Sequence, residues 1–242
     1  MNEIIKSLYA RKSTRAFEER PISPEDKNAI LLAAMAAPSP GNQQLYTILD
    51  ITDQTLKDTL AVSCDNQPFI AAAPMVLIFV ADCQKWFNAY KSIGLAPHKP
   101  GLGDIAHSVV DASIAAQNAV TAAESLGIGS CYIGDILENC ELHRSLLNLP
   151  PYAMPAAMVI FGYPTQVQKN RQKPERCALE HIVHENGYRQ MHASELKEML
   201  SWKAGSRPYE EWLAAFHNRK YASGFAIEMN RSVGEYLKEF KG

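Results

Sequence analysis

Arg11-Lys12-Ser13-Thr14-Arg15-Ala16-Phe17 packs three cations and two hydroxyls into its first five residues and closes on an aromatic. The 242-residue chain carries a formal net charge of −2, so the cluster does not reflect a general basic excess. A guanidinium grips phosphate oxygens in a planar fork, and each charge-assisted bond contributes roughly 1.5–3 kcal/mol. Ser13 adds a neutral donor for the same anion. Taken alone, such a run reads first as a solvated basic turn. The residues that complete or fail to complete a ligand outline around it decide between the two.

Composition narrows the field. Hydrophobic residues make up 47% and charged residues 21%, which is ordinary for a globular protein. The length suits one or two domains that bury roughly 70% of their unfolded surface. Near-neutral charge gives no electrostatic case for nucleic acid or an anionic membrane. Five cysteines (Cys64, Cys83, Cys131, Cys140, Cys177) are odd in number and show no C-x-x-C pair, so a reducing cytoplasm is the expected location. The polar start lacks a signal-peptide core, and the longest apolar run, Ile70 to Ala81, is too short to span a bilayer.

Along the chain, Asn2 is a candidate cap for a short helix with Ile4, Ile5 and Leu8 on one side. Ser23-Pro24-Glu25-Asp26 starts a second helix, which must stop before Pro38 and Pro40. Pro38-Ser39-Pro40-Gly41-Asn42-Gln43-Gln44 is an uncharged loop whose amides and hydroxyl can read a polar ring edge. Strands are expected at Tyr46 to Ile51, Met75 to Ala81 and Ala156 to Phe161. The continuous apolar run at Met75 predicts a strand covered on both faces. Asp104 to Leu126 gives the strongest helix, with small residues at three- and four-residue spacing, suited to a scaffold spine or a subunit contact. Gly129-Ser130-Cys131-Tyr132-Ile133-Gly134 reads as a short strand whose flanking glycines let a backbone approach a flat ligand. Thr165 to Glu175, followed by Arg176, reads as a basic loop, and Leu179 to Tyr188 as extended. Helices are expected at Thr55 to Ser63, Gln84 to Tyr90, Glu138 to Leu147, Ser194 to Leu200, Tyr209 to Phe216 and Phe225 to Phe240.

Several chemistries fall away. Gly101-x-Gly103-x-x-Ala106 resembles a dinucleotide fingerprint, but Pro97 and Pro100 before it rule out the central strand that the fingerprint needs. His181-x-x-His184 lacks further ligands, so no metal is expected. There is no G-x-S-x-G elbow and no P-loop. What survives is the basic hydroxyl cluster, the neutral loop, the glycine-flanked strand and the late Lys/Arg loop. Together they outline a ligand with a phosphate at one end and a polar heteroaromatic at the other, as in a phosphorylated flavin.

Arg11 to Phe17 followed by Ala37-Pro38-Ser39-Pro40-Gly41-Asn42-Gln43-Gln44 resembles the opening pair of motifs of the FMN-dependent nitroreductase family. Ala122 to Gly129, Tyr132-Ile133-Gly134, Phe161-Gly162-Tyr163-Pro164 and His184-Glu185-Asn186-Gly187-Tyr188 are similar to its oxygen-insensitive NADPH nitroreductase and flavin reductase branch. The resemblance implies an α+β fold with a central, mostly antiparallel sheet ringed by helices. It implies an intertwined homodimer with FMN at the subunit interface. Residues 1–242 would form a single domain, with 189–242 a helical extension packing on the partner. Arg11, Ser13 and Arg15 would bind the FMN phosphate and ribityl end, with Lys12 where the family often has a second arginine. Pro38, Ser39 and Asn42 would lie along the ring, Gln67 beside it, and Tyr132, Ile133 and Gly134 at its edge. Lys173 and Arg176 resemble the branch's closing basic pair, at a spacing one residue wider. The implied reaction is ping-pong transfer of hydride from NAD(P)H through the flavin to nitroaromatics, quinones or free flavin, with no side-chain acid required. Lys203 and Arg207 are the candidates for the NADPH phosphate. The competing expectation is a flavin carrier, store or sensor with little turnover.

Overall fold

A computed structural model describes residues 1–241. Its contacts divide the chain into two units, residues 1–172 together with the segment from Met229 onward, and residues 173–228.

The first unit is built on a four-stranded sheet of order β1-β2-β4-β3, with every neighbouring pair antiparallel. The strands are β1 (Tyr46–Asp50), β2 (Met75–Asp82), β3 (Gly129–Ile133) and β4 (Ala153–Gly162). Helix α1 (Glu3–Ala10) is capped by Asn2, whose Oδ1 accepts from Ile5 N at 3.0 Å. Its apolar residues Ile4, Ile5 and Leu8 are all exposed in the single chain. Ser23 caps α2 (Pro24–Met35), its Oγ accepting from Asp26 N. Helices α3 (Gln54–Ser63), α4 (Pro68–Ala71), α5 (Gln84–Ser92) and the 24-residue α6 (Leu102–Ser125) follow. Gly101 caps α6, and the residues in front of it form no strand.

Side chains of β2 alternate between two cores, which is why its apolar run has no polar position. Met75, Leu77 and Phe79 pack with α2 and the small-residue face of α6, through Ile30, Ala34, Ala112, Ala116 and Ala119. Val76, Ile78 and Val80 pack with Leu60 of α3, Cys64 just after it, Ile70 of α4, and Cys131 and Ile133 of β3. A third cluster joins Ile105 of α6, Cys140 and Met154 to Tyr236 and Phe240 near the chain's end. The helix expected from Glu138 to Leu147 is α7 (Cys140–Leu146), and a 3₁₀ turn at Gly134–Leu137 precedes it. The expected loop after Pro164 contains α8 (Gln166–Asn170), because Thr165 Oγ1 accepts from Gln168 N and caps it.

In the second unit Leu179–His181 is a 3₁₀ turn followed by bends, not extended chain. Helices α9 (Ala193–Ser201) and α10 (Tyr209–Lys220) follow, and α11 (Gly224–Lys238) carries the chain back to the first unit. Among the described residues no helix is long and apolar enough to cross a membrane.

Candidate functional site

The basic cluster is stitched to the sheet. Thr14 N donates to Ser130 O at 2.9 Å, and Ser13 pairs in parallel with Ser130 on β3. Four residues after Ser13, Phe17 pairs with Pro164, and Glu18 N donates to Tyr163 O at 2.8 Å. Residues 13–18 therefore run along the start of β3 and the end of β4. This approach explains two glycines. A Cβ on Gly129 would lie 2.4 Å from Thr14 Oγ1 and 2.9 Å from Thr14 Cβ, and one on Gly162 would lie 2.6 Å from the Phe17 ring. Gly129 thus makes room for Thr14, not for a ligand as the sequence suggested. Gly134, at the other end of β3, does face open space.

Arg11, Ser13 and Arg15 all act on the Cys131 thiol, and Arg11 also on Tyr132. Burial pushes the Cys131 thiol up, while Arg15, the Ser13 hydroxyl and Arg11 pull it back. Tyr132 is pushed up to about 12 by burial, against the pull of Arg11. The Arg15 guanidinium lies 5.8 Å from the centroid of Phe69 on α4. Gln67, which precedes α4, donates from Nε2 to Cys64 O at 2.7 Å. The cluster thus sits with Gln67 on one side and β3 on the other. Arg11 Nη1 and Ser130 Oγ are buried and have no hydrogen-bond partner. A buried guanidinium N–H without an acceptor is costly, and an anion with several acceptor oxygens removes that cost. The residues present therefore fit a phosphate group.

Lys12 differs from its neighbours. Its Nζ donates to Lys169 O at 2.6 Å and to Arg171 O, satisfying carbonyls at the end of α8. Gln168, buried at the centre of α8, donates from Nε2 to Ser13 O at 3.0 Å and accepts from Arg15 N at 3.4 Å. Gln168 is a positioning residue that the sequence reading missed. Its only sequence signal is a glutamine three residues after the capping Thr165.

The neutral loop lies elsewhere. Ser39 Oγ donates to Asp111 Oδ2 at 2.6 Å and accepts from Gln44 N at 2.7 Å, while Leu45 N donates to the same carboxylate oxygen. Gly41, Asn42 and Gln44 adopt left-handed backbone angles that tighten the loop. Asp111 is fully buried on α6, and its Oδ1 has no partner. The loop leads into Tyr46, which faces Ala81, which in turn faces Met154. The basic cluster is beside Ser130, which faces Phe161. From Met154 to Phe161 is about 23 Å along the strand, and from β1 to β3 is about 14 Å across. The two corners are diagonally opposed on one sheet.

Lys173 and Arg176 lie in the second unit, with Lys203 and Arg207. Lys203 Nζ is 5.3 Å from the Trp202 ring centroid. Arg207 lines a cavity of about 290 Å³ with Trp212, Phe216 and Arg219. Arg219, absent from the sequence-based candidates, is the cation that shares Arg207's cavity.

Against known proteins, the chain is 29% identical over 240 residues to the FMN reductase [NAD(P)H] of Bacillus subtilis, covering 98% of this chain and 92% of that protein. It is 34% identical over 189 residues to the oxygen-insensitive NADPH nitroreductase of Salmonella typhimurium, covering 78% and 75%. The solved structure of the NADPH:FMN oxidoreductase of Vibrio harveyi complexed with NAD+ superposes with a TM-score of 0.82 at 26% identity, covering 98% of each chain. The sequence model of the Nitroreductase family matches residues 8–163, a span that holds the sheet, the basic cluster and the neutral loop. On that match, with the fold in agreement, this chain belongs to the nitroreductase family.

Proposed function

We propose that the chain acts as a homodimer that takes electrons from NAD(P)H and passes them to nitroaromatics, quinones or free flavin by a ping-pong mechanism. It is an NAD(P)H-dependent flavin oxidoreductase with FMN as its cofactor. The observation that carries this reading is the buried, unpartnered guanidinium nitrogen of Arg11 beside Ser13 and Arg15.

FMN, when bound, supplies the two-electron redox chemistry. Arg11, Ser13 and Arg15 hold its phosphate, while Lys12 braces the end of α8. Gln67 flanks the ring, and Tyr132, Ile133 and Gly134 meet its edge through the strand end where Gly134 leaves open space. Pro38, Ser39 and Asn42 line the ring of the partner's FMN, because one chain keeps them at the far corner from its own basic cluster. Asp111 fixes that loop through Ser39. Arg207 and Lys203 bind the NADPH phosphate. The oxidised nicotinamide leaves before the acceptor enters the same slot, so one flat site serves both substrates in turn.

The test is anaerobic titration of the FMN-loaded protein with NADPH, repeated with NADH. Bleaching of the flavin band, recovery of colour on adding a quinone or nitroaromatic, and parallel double-reciprocal plots are the expected results. A protein that takes up no FMN overturns the reading. One that holds FMN without bleaching is a flavin carrier or store instead.

A further inference from the structure

His143 on α7 is fully buried and sits between two segments that lead to the flavin ring. Its Nε2 is 2.8 Å from Ser63 Oγ, at the end of α3, and its Nδ1 is 3.0 Å from Ile136 O, in the turn that follows Gly134. A carbonyl only accepts, so Nδ1 carries the proton. In the neutral ring Nε2 therefore accepts from the Ser63 hydroxyl. Asn139 strengthens the junction, its Nδ2 donating to Ser63 O at 3.0 Å.

Each tether continues to a ring-facing residue. Ser63 is followed by Cys64, whose carbonyl oxygen receives the Gln67 amide at 2.7 Å. Between them Asp65 and Asn66 adopt left-handed angles, so the turn to Gln67 is tight. On the other side, one residue, Asp135, separates Ile136 from Gly134. Ile136, Cys64 and Ile133 share one buried cluster. The imidazole is a rigid spacer with a hydrogen bond at each end, which sets the separation of the two segments.

We propose that His143 is a positioning residue for the flavin ring: through Ser63 and Ile136 it fixes the gap between the Gln67 turn and the Ile133–Gly134 strand end. The assignment rests on the FMN reading above. It distinguishes ring placement from phosphate anchoring, since Ser13 and Arg15 are held by β3 and Gln168 and Arg11 by the end of α1. Loosening the spacer leaves FMN attached but lets the ring shift against its neighbours, and hydride transfer is sensitive to that alignment.

The experiment compares wild type with Ser63→Ala, Ser63→Thr and His143→Phe, each loaded with FMN. It reads FMN affinity, the visible flavin spectrum and the anaerobic reduction rate at saturating NADPH. Expected are FMN affinities within about threefold of wild type, a displaced flavin absorbance band, and a reduction rate lowered about tenfold in Ser63→Ala and His143→Phe. Ser63→Thr, which keeps the hydroxyl, returns the rate toward wild type. Unchanged spectrum and rate in Ser63→Ala overturn the proposal, as does equal loss in Ser63→Thr. If His143→Phe does not fold, the serine pair decides. A wild type that binds no FMN or does not bleach fails the underlying reading, and this is seen before any variant is made.

Discussion

At the scale of single residues, charge divides into anchors and struts. Arg11 and Arg15 face a site, whereas Lys12 is bonded to the end of α8. Arg15→Ala is expected to weaken FMN binding about tenfold or more, one lost charge-assisted contact being roughly 1.4 kcal/mol or above, as read by flavin fluorescence titration. Lys12→Met should instead act mainly on the α8 end. A second residue-scale prediction concerns acid. The Arg231 fork on Glu141, with contacts of 2.8 and 2.9 Å, holds that carboxyl down at about 2. A depressed carboxyl contributes stability above its ordinary range and loses it as pH falls toward about 2. The pair is exposed, so the effect is small. The melting temperature of Glu141→Gln should fall about 1–2 °C less than that of wild type between pH 5 and pH 3. The cation and hydroxyl pattern at residues 11–15 was readable in sequence because its chemistry is local. Lys12's true partners were not, because carbonyls more than 150 residues away leave no mark in composition.

At the scale of elements, the strands and α6 were legible from apolar patterning, since burial on one or two faces dictates it. The role of Gly129 was not. Its meaning depends on Thr14 lying against it, a contact fixed only by the fold. The clash with Thr14 Cβ as well as Oγ1 means that rotating the threonine does not clear the space. Gly129→Ala should therefore push the basic segment off β3, lowering stability by about 1–3 kcal/mol. It should also weaken FMN binding. Adding Thr14→Gly to that variant, which removes the Cβ as well as the hydroxyl, should recover much of both, and thermal unfolding with flavin titration of the two variants checks it. Helix α8 escaped notice for the opposite reason: with Val167 its one apolar residue among five it carries no apolar period, and only the Thr165 cap announces it.

At the scale of the whole molecule, the diagonal separation of the basic cluster from the neutral loop makes the proposed site a shared one. The 189–242 extension is proposed to reach the partner through its part before Met229, since Tyr236 and Phe240 are taken up in the chain's own core. A complementation experiment follows. In a mixed dimer of an Arg15→Ala chain and an Asn42→Ala chain, one site joins both intact corners and the other joins both defective ones. Refolding the two together should yield dimers with one tightly bound FMN, while either variant alone shows two equally weakened sites, as counted by titration against dimer concentration. The sequence carried both corners but not their separation, which belongs to sheet order. That order also bears on how the protein is born. Residues 11–18 leave the ribosome first, yet their strand partners at 128–133 and 162–165, and the Gln168 amide, emerge some 110 to 150 residues later. The phosphate-binding segment is thus written early and finished late. A nascent chain has no purchase on flavin until the second half of the sheet has been made, so cofactor capture reports on completed synthesis.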